Sequence, residues 1–466
     1  MSSLDQNVIS LDELRGTSKK IDFNANNSEP RNWGPLESEM RQVISKLKGC
    51  AYNDDFDWSI YDKIAARFGD EQPNGGVVFR TTFKLANYHP TCSKCHYALE
   101  VDTYGRGCVH NCVYCYAKDQ LTKRGYWNRP TPFPIDLAEI RSAFYTIFET
   151  DRPHKWRNIL ATKVPLRIGA MSDSFMWMDQ RYGVTKEFMK ILSHYKYPAV
   201  IFTRSDLAAH DDYMKVMDPS LFSIQYSIAG NNEELTKKIE PGAPSVARRL
   251  KAIKKLSENG YLTAIRLNPL FPIYPDGYYT NSESIVKRFS GREVPKFDLF
   301  NFDFISELAE YKPHTVLAGF VRLSTSAINS LTKASGIDFK DFFTPEVMAG
   351  SGDKNFSDAE IAYYYREIGK RCMRNGLRFS TCYIGNGLKD YYQYQKMWSN
   401  KSDCCDIVGN LDSFKSTSQS ISWVERERHA AYKNLVAGSK LAESEFDKLQ
   451  SKVIETDNKK QSEIFL

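Results

Sequence analysis

Between residues 99 and 383 the chain alternates strand-length apolar runs with amphipathic stretches of helical period. The runs are Leu99–Tyr104, Leu166–Met171, Ala199–Thr203, Phe222–Ile228, Leu262–Asn268, Val316–Leu323 and Leu377–Tyr383. Between them lie helix-like segments such as Thr185–His194, Ser245–Asn259 and Asp358–Asn375. The second has Ser245 placed as an N-cap after Pro244 and stops at Gly260. Strands separated by helices cannot pair as tight hairpins, so the pattern reads as roughly six or seven βα units feeding a parallel sheet. In barrels of this kind, function sits at the C-terminal ends of the strands. Those ends are polar here: Ser172-Asp-Ser174, Arg204-Ser-Asp206, Ser227, Arg266-Leu-Asn268, and Arg322 within the sixth run.

The flanks are different. Residues 1–30 form a polar arm, after which Leu36, Met40, Val43, Ile44 and Leu47 recur near helical spacing. Beyond residue 386 the chain is polar, and from Ser439 its Lys, Glu and Ser content predicts an exposed helix or disordered tail. The expected division is an N-terminal arm and helical extension over 1–84, a barrel over 85–385, and a cysteine-containing extension over 386–466. With 466 residues, 42% hydrophobic and 26% charged, the chain can bury a large core. No apolar run approaches the ~20 residues of a membrane span, and the first 30 residues lack a secretory h-region. A cytoplasmic protein without a membrane partner is expected. The net charge of +6 permits nucleic-acid binding without requiring it. Arg248, Arg249, Lys251, Lys254 and Lys255 read first as a solvated helix face.

Ten cysteines in a chain of this type point to metal or redox ligation rather than to disulfides. Residues 105–117 read Gly-Arg-Gly-Cys-Val-His-Asn-Cys-Val-Tyr-Cys-Tyr-Ala, placing Cys108, Cys112 and Cys115 in a C-x3-C-x2-C run. Three thiolates without a fourth nearby suit a [4Fe–4S] cluster with one iron left open, whereas four would make a closed electron carrier. Zinc is the alternative, with His110 as a fourth ligand, although His110 sits between two of the cysteines and would crowd a tetrahedral site.

The loop, with Tyr114 before its third cysteine, resembles that of the radical SAM superfamily. Further pieces resemble the spore-photoproduct-lyase-like branch: Arg167-Ile-Gly-Ala-Met-Ser-Asp173, Phe202-Thr-Arg-Ser205, Ser227, Glu240-Pro-Gly-Ala-Pro-Ser245 with Arg249-Leu250, and Arg266-Leu-Asn-Pro-Leu-Phe-Pro272. The resemblance implies a partial (β/α)6 TIM-like barrel. It also implies one-electron reduction of S-adenosylmethionine by an external reductant, giving methionine and a 5′-deoxyadenosyl radical that abstracts hydrogen from the substrate. By the same resemblance Tyr114 lies near the cluster and adenine, and Ser172 and Asp173 near the methionine amine. Arg204, Ser227, Arg266 and Asn268 would hold the carboxylate or ribose.

The remaining cysteines depart from that branch. Cys92 and Cys95 form a C-x2-C pair, Cys382 ends the last run, and Cys404 and Cys405 follow it. Cys92, Cys95, Cys382 and one or both of Cys404 and Cys405 are expected to hold an auxiliary [4Fe–4S] cluster, with zinc as the competitor. Alternatively Cys382 or Cys405 is a catalytic thiol hydrogen donor, a role the resemblance implies. Cys50 and Cys372 look isolated, and Cys372 reads as core. The expected substrate is a thymine-derived base in DNA, undergoing repair, rearrangement or hypermodification of lyase or isomerase type. A peptide side chain, or a non-catalytic iron–sulfur role, are the alternatives.

Overall fold

The computed structural model describes residues 83–85, 94–97, 99–105, 107–123, 127, 132–135, 137–271, 282–343, 354–382 and 394–414. The N-terminal arm, the helix expected after Gly34, Cys50, Cys92 and the tail from Ser439 lie outside the described residues.

Seven strands run parallel in one sheet: β2 (Leu99–Val101), β5 (Leu166–Ile168), β6 (Ala199–Thr203), β7 (Phe222–Ser227), β8 (Leu262–Leu270), β9 (Thr315–Phe320) and β10 (Arg378–Thr381), in that spatial order. A short β1 (Lys84–Leu85) pairs antiparallel with β2, and β3 (Tyr104–Gly105) pairs with β4 (Phe133–Pro134) in a separate ribbon. Among the described residues β10 does not pair back to the first strands, so the sheet is an open, partial barrel. The expected α/β architecture is therefore present.

Side chains alternate across a strand, and here the alternation separates chemistry. One face carries Leu166, Ile168, Ile201, Ile224, Ile265 and Val316, all fully buried. Helices cover it: α1 (Val184–His194) buries Phe188 and Leu192, α2 (Val246–Glu258) buries Ile253 and Leu256, and α3 (Asp358–Arg374) buries Ile361, Tyr364 and Ile368. The register places a polar row on the other face. Glu100 pairs with Arg167, Phe202 with Gln225, Ser227 with Arg266, Arg266 with Leu317, and Leu317 with Ser380. The helix starts are chemically marked. The Ser245 side chain accepts from Arg248 N at 3.3 Å. Ser357 and Glu360 form a reciprocal capping box, which the sequence contains but which was not among the expected signals.

Five of the seven expected strands end earlier in the structure, and two of these bear on the site. The second stops at Ile168 because Gly169 has φ +85°, and a Cβ there would lie 2.1 Å from the Phe202 carbonyl oxygen. Only glycine tolerates both conditions. The sixth ends at Phe320, so Arg322 lies beyond it rather than within it.

The start of the C-terminal extension packs along β10. Ser399 N donates to Phe379 O at 2.8 Å, Ser380 Oγ to Cys404 O at 2.7 Å, and Trp398 Nε1 to Thr381 Oγ1 at 2.7 Å. Arg378 holds Asp406 through two bonds of 2.6 and 2.7 Å. Residues just before β2 meet the same segment, with His96 Nε2 3.0 Å from Ser402 O. Residues 94–97 and 394–414 thus form a seam between the first and last parallel strands.

Asp179 organises the opposite flank. It accepts from the hydroxyls of Tyr104 and Tyr213 at 2.5 Å each and from Thr185 N at 2.7 Å. Replacing it with alanine strands those buried donors, each at a cost of ~1–3 kcal/mol. Urea denaturation of Asp179→Ala should show a loss of at least ~3 kcal/mol with an unchanged m-value.

Candidate metal and cofactor site

The three-cysteine loop spans the connection from β3 to the helix Tyr116–Lys123, just beyond the C-terminal end of β2. Asn111 adopts φ 48°, a left-handed conformation that asparagine tolerates, and its N–H donates to Cys108 O at 3.3 Å. Cys112 is buried, while Cys108 and Cys115 are partly exposed; all three are free thiols. Burial pushes the Cys108 thiol up to about 12 and the Cys112 thiol well above its ordinary value. Thiols in such surroundings ionise when a metal cation replaces the proton. The donor chemistry and placement fit an iron–sulfur cluster.

The loop is anchored by backbone contact and by a buried carboxylate. Val113 N donates to Ile239 O at 2.9 Å, and Gly242 N to His110 O at 2.9 Å. A Cβ on Gly242 would lie 2.0 Å from Val109 O, so the close approach requires glycine. His110 is buried, with Nδ1 3.1 Å from Gly242 O and Nε2 3.0 Å from Asp173 Oδ2. Both ring nitrogens are therefore engaged within the protein, which removes His110 as a free metal ligand. Asp173 also accepts from Thr203 Oγ1 at 2.9 Å, Arg204 N at 2.6 Å and Phe175 N at 2.9 Å. Burial raises its carboxyl, but His110 and these bonds outweigh burial and hold it below the usual range.

A second buried network lies against Tyr114. Its hydroxyl donates to Glu240 Oε1, its ring meets Phe271 edge-on with centroids 5.2 Å apart, and the Arg204 guanidinium lies 5.7 Å from its centroid. Arg249 is fully buried and donates to Glu240 Oε2 at 2.5 Å, Pro244 O at 2.9 Å and Ser227 O at 3.0 Å. Burial raises the Glu240 carboxyl, and Arg249 and Arg204 more than offset it, so the group stays below the carboxylate range. Beside the loop, a small recess, with room for about one water, is lined by Tyr114, Tyr116, Asp119, Arg322 and Ser324, among others.

The structure places the expected residues unequally. Tyr114 and Arg204 lie at the loop. The Asp173 oxygens are taken by the four groups above, and Ser172 Oγ donates to Tyr104 O. Ser227 is buried and supplies its carbonyl to Arg249. Asn268 packs on Gly319, where a Cβ would lie 2.8 Å from its Nδ2. Arg266 points elsewhere, to Gln225 Oε1 at 2.6 Å and to Cys382 Sγ, with Cys405 Sγ at 4.0 Å. The basic helix face is partly neutralised, with Arg248 2.7 Å from Asp206 and Lys255 2.6 Å from Asp211. Glu240, Arg249 and Gly242 were not among the expected site residues. Their signal is a carboxylate followed by Pro241 and Gly242, with an arginine one helical turn into α2.

The other cysteines gather at the seam. Cys95 Sγ lies 4.0 Å from Cys404 Sγ, and Tyr97 Oη 3.8 Å from Cys405 Sγ. Among the described residues no three His, Cys, Asp or Glu side chains converge as the ligands of a single metal ion. Cys372 is buried in α3, as expected of a core thiol.

No family model matches the chain. It is 25% identical over 205 residues to an uncharacterized protein of Methanocaldococcus jannaschii, covering 43% of this chain and 68% of that one. An uncharacterized protein of Mycobacterium tuberculosis is 22% identical over 205 residues, covering 43% and 58%. One of Acidianus two-tailed virus is 26% identical over 172 residues, covering 36% and 54%. The chain thus spans just over half of the length of these last two. In structure the chain is similar to spore photoproduct lyase. A mutant of that enzyme with bound AdoMet and dinucleoside spore photoproduct aligns at a TM-score of 0.47 and 15% identity, covering 74% of this chain and 94% of that one. A complex of the enzyme with dinucleoside spore photoproduct aligns at 0.46 and 14%.

Both anchoring carboxylates have depressed pKa values, so the unfolded chain binds more protons than the folded one as acid is added. Their contribution is complete above the ordinary carboxylate range of ~4 and is lost as pH falls through the folded values. Thermal denaturation should therefore show an acid limb below pH ~4 that is shallower in Asp173→Asn. Glu240→Gln leaves the Arg249 charge buried without its partner, and should cost ~3–5 kcal/mol in chemical denaturation.

Proposed function

We propose that the chain is a radical S-adenosylmethionine enzyme acting on a thymine-derived base in DNA. The observation that carries this reading is the loop itself. It presents three thiols, and its one histidine is consumed by Asp173 and Gly242, so the loop offers no fourth ligand of its own. It stands at the mouth of a partial parallel barrel, where such folds place their chemistry. When bound, the cluster supplies one electron to S-adenosylmethionine and thereby generates the radical that takes hydrogen from the substrate.

The protein's part is position and exclusion of water. Asp173 holds the loop to β6 through His110, Thr203 and Arg204 N. The Glu240–Arg249 pair fixes Tyr114 beneath the loop. Tyr116, Arg322 and Ser324 line a small polar recess beside the loop, with Arg322 as its cationic wall. Of the two proposed thiol hydrogen donors, Cys382 is partly exposed at the end of β10, whereas Cys405 is buried. Cys382 is the better placed.

The DNA reading rests on the resemblance to the spore-photoproduct-lyase-like branch, together with the basic groups Arg248, Lys251, Lys254 and Lys255 on α2; Arg249, also counted with them, is buried. A base in a duplex would have to be flipped out or presented single-stranded. The cysteines at the seam favour a second reading, modification of a peptide side chain in the manner of maturases with extra metal centres.

Anaerobic reconstitution followed by dithionite should convert S-adenosylmethionine to 5′-deoxyadenosine, and Cys112→Ala should abolish that conversion. Product formation without dependence on Cys112, or none in the wild type, sinks the assignment. DNA binding that weakens steeply with salt supports the DNA substrate; salt-insensitive or absent binding favours the peptide.

A further inference from the structure

The seam gathers more thiol chemistry than packing alone calls for. Cys95 comes from the segment before β2, Cys404 and Cys405 from the C-terminal extension, and Cys382 from the end of β10. Cys95 and Cys404 are 4.0 Å apart, and Cys404 Sγ also lies 3.8 Å from Lys94 O. Arg266 enters from the barrel interior, donates to Cys382 Sγ, and approaches Cys405 Sγ at 4.0 Å. Its guanidinium is backed by the Phe202 ring at 4.6 Å and held by Gln225 at 2.6 Å. A buried cation aimed at several thiols suits an anionic thiolate centre better than neutral core cysteines.

Cys372 supplies an internal contrast. It is equally buried, but lies alone within α3. A plain disulfide accounts for the seam poorly. The Cys95–Cys404 separation is about twice the ~2.05 Å of an S–S bond, and Cys405 and Arg266 would be left without a role.

We propose that Cys95, Cys404 and Cys405 hold a second thiolate-ligated metal centre that clasps the seam of the barrel, with Arg266 standing between it and Cys382. The shared ligand chemistry is that of zinc and of an iron–sulfur cluster, both of which take soft thiolate sets. Arg266 is a positioning and charge-balancing residue rather than a ligand. Among the described residues no three of these side chains converge on one point, so loading the centre draws the chain leading into β2 and the segment that covers β10 together and rigidifies residues 94–97 and 394–414. The inference does not depend on the radical reading of the loop.

The test is metal content in two anaerobically reconstituted full-length variants, read by elemental analysis and Mössbauer spectroscopy, with hydrogen exchange on the same samples. Cys108→Ala/Cys112→Ala/Cys115→Ala removes the loop's ligands and should keep the seam metal, either about four irons of one cubane or one zinc. Cys95→Ser/Cys404→Ser should lose that same metal, keep the iron of the loop, and exchange faster across 394–414. Three results overturn the proposal: a loop variant holding neither iron nor zinc, a seam variant with wild-type metal content, or a Cys95–Cys404 disulfide found by alkylation mapping of the reconstituted wild type. If the seam variant does not fold, the loop variant still decides the question. Failure of the radical reading would appear instead as absent 5′-deoxyadenosine with the seam metal intact.

Discussion

The Asp173 carboxylate accepts hydrogen bonds from the His110 ring, the Thr203 hydroxyl and the backbone N–H groups of Arg204 and Phe175. Those donors come from the cysteine loop, the end of β6 and the chain just beyond β5. Buried and fully engaged, the group binds segments that the sheet's own hydrogen bonds do not connect. The cysteine loop buries Val109 and Tyr114 in the core, and it takes its shape from this anchor and from the Gly242 backbone as well. Buried polar networks of this kind specify geometry when every member is satisfied, and cost heavily when one is missing.

The barrel keeps its apolar and polar chemistry on opposite sides of one sheet. The helix-facing side is mainly apolar, aliphatic with Phe222, Tyr226 and Phe379 among it, which supplies the free energy of burial. The inner side holds Glu100, Arg167, Gln225 and Arg266. Such a lining costs desolvation, and much of that cost is offset by mutual pairing. Arg167 lies 3.8 Å from Glu100, and the Arg167 and Arg266 guanidiniums lie 5.4 and 4.6 Å from the centroid of the Phe202 ring.

The strand–helix alternation was legible because each strand is an apolar run with clear turn signals on either side. Ser245 caps α2 and Gly260 follows it as the spacing predicts. The strand ends were less legible: Gly169 stops β5 through a steric contact with Phe202 that lies far away in sequence, and β9 stops short of Arg322. Within the site, the three-cysteine spacing is local and could be read directly. Most of the engagement of Asp173 by protein donors could not, since His110, Thr203 and Arg204 meet it only in the folded barrel. The same holds for Glu240, whose partner Arg249 is near in sequence but whose contact with Tyr114 is not. The grouping of Cys95 with Cys404 was anticipated from composition, whereas its location at the seam depends on how the extension runs along β10.

Cys95 and Cys404 are 309 positions apart in the chain. During synthesis the ribosome delivers the cysteine loop early and the segment that seals the side of the barrel last. Contacts of such long range close late. The nascent protein therefore passes through a stage in which the loop's thiols exist, the strands around them are made, and one flank is still open to solvent. Closing that flank is therefore among the last steps by which the barrel wall is completed.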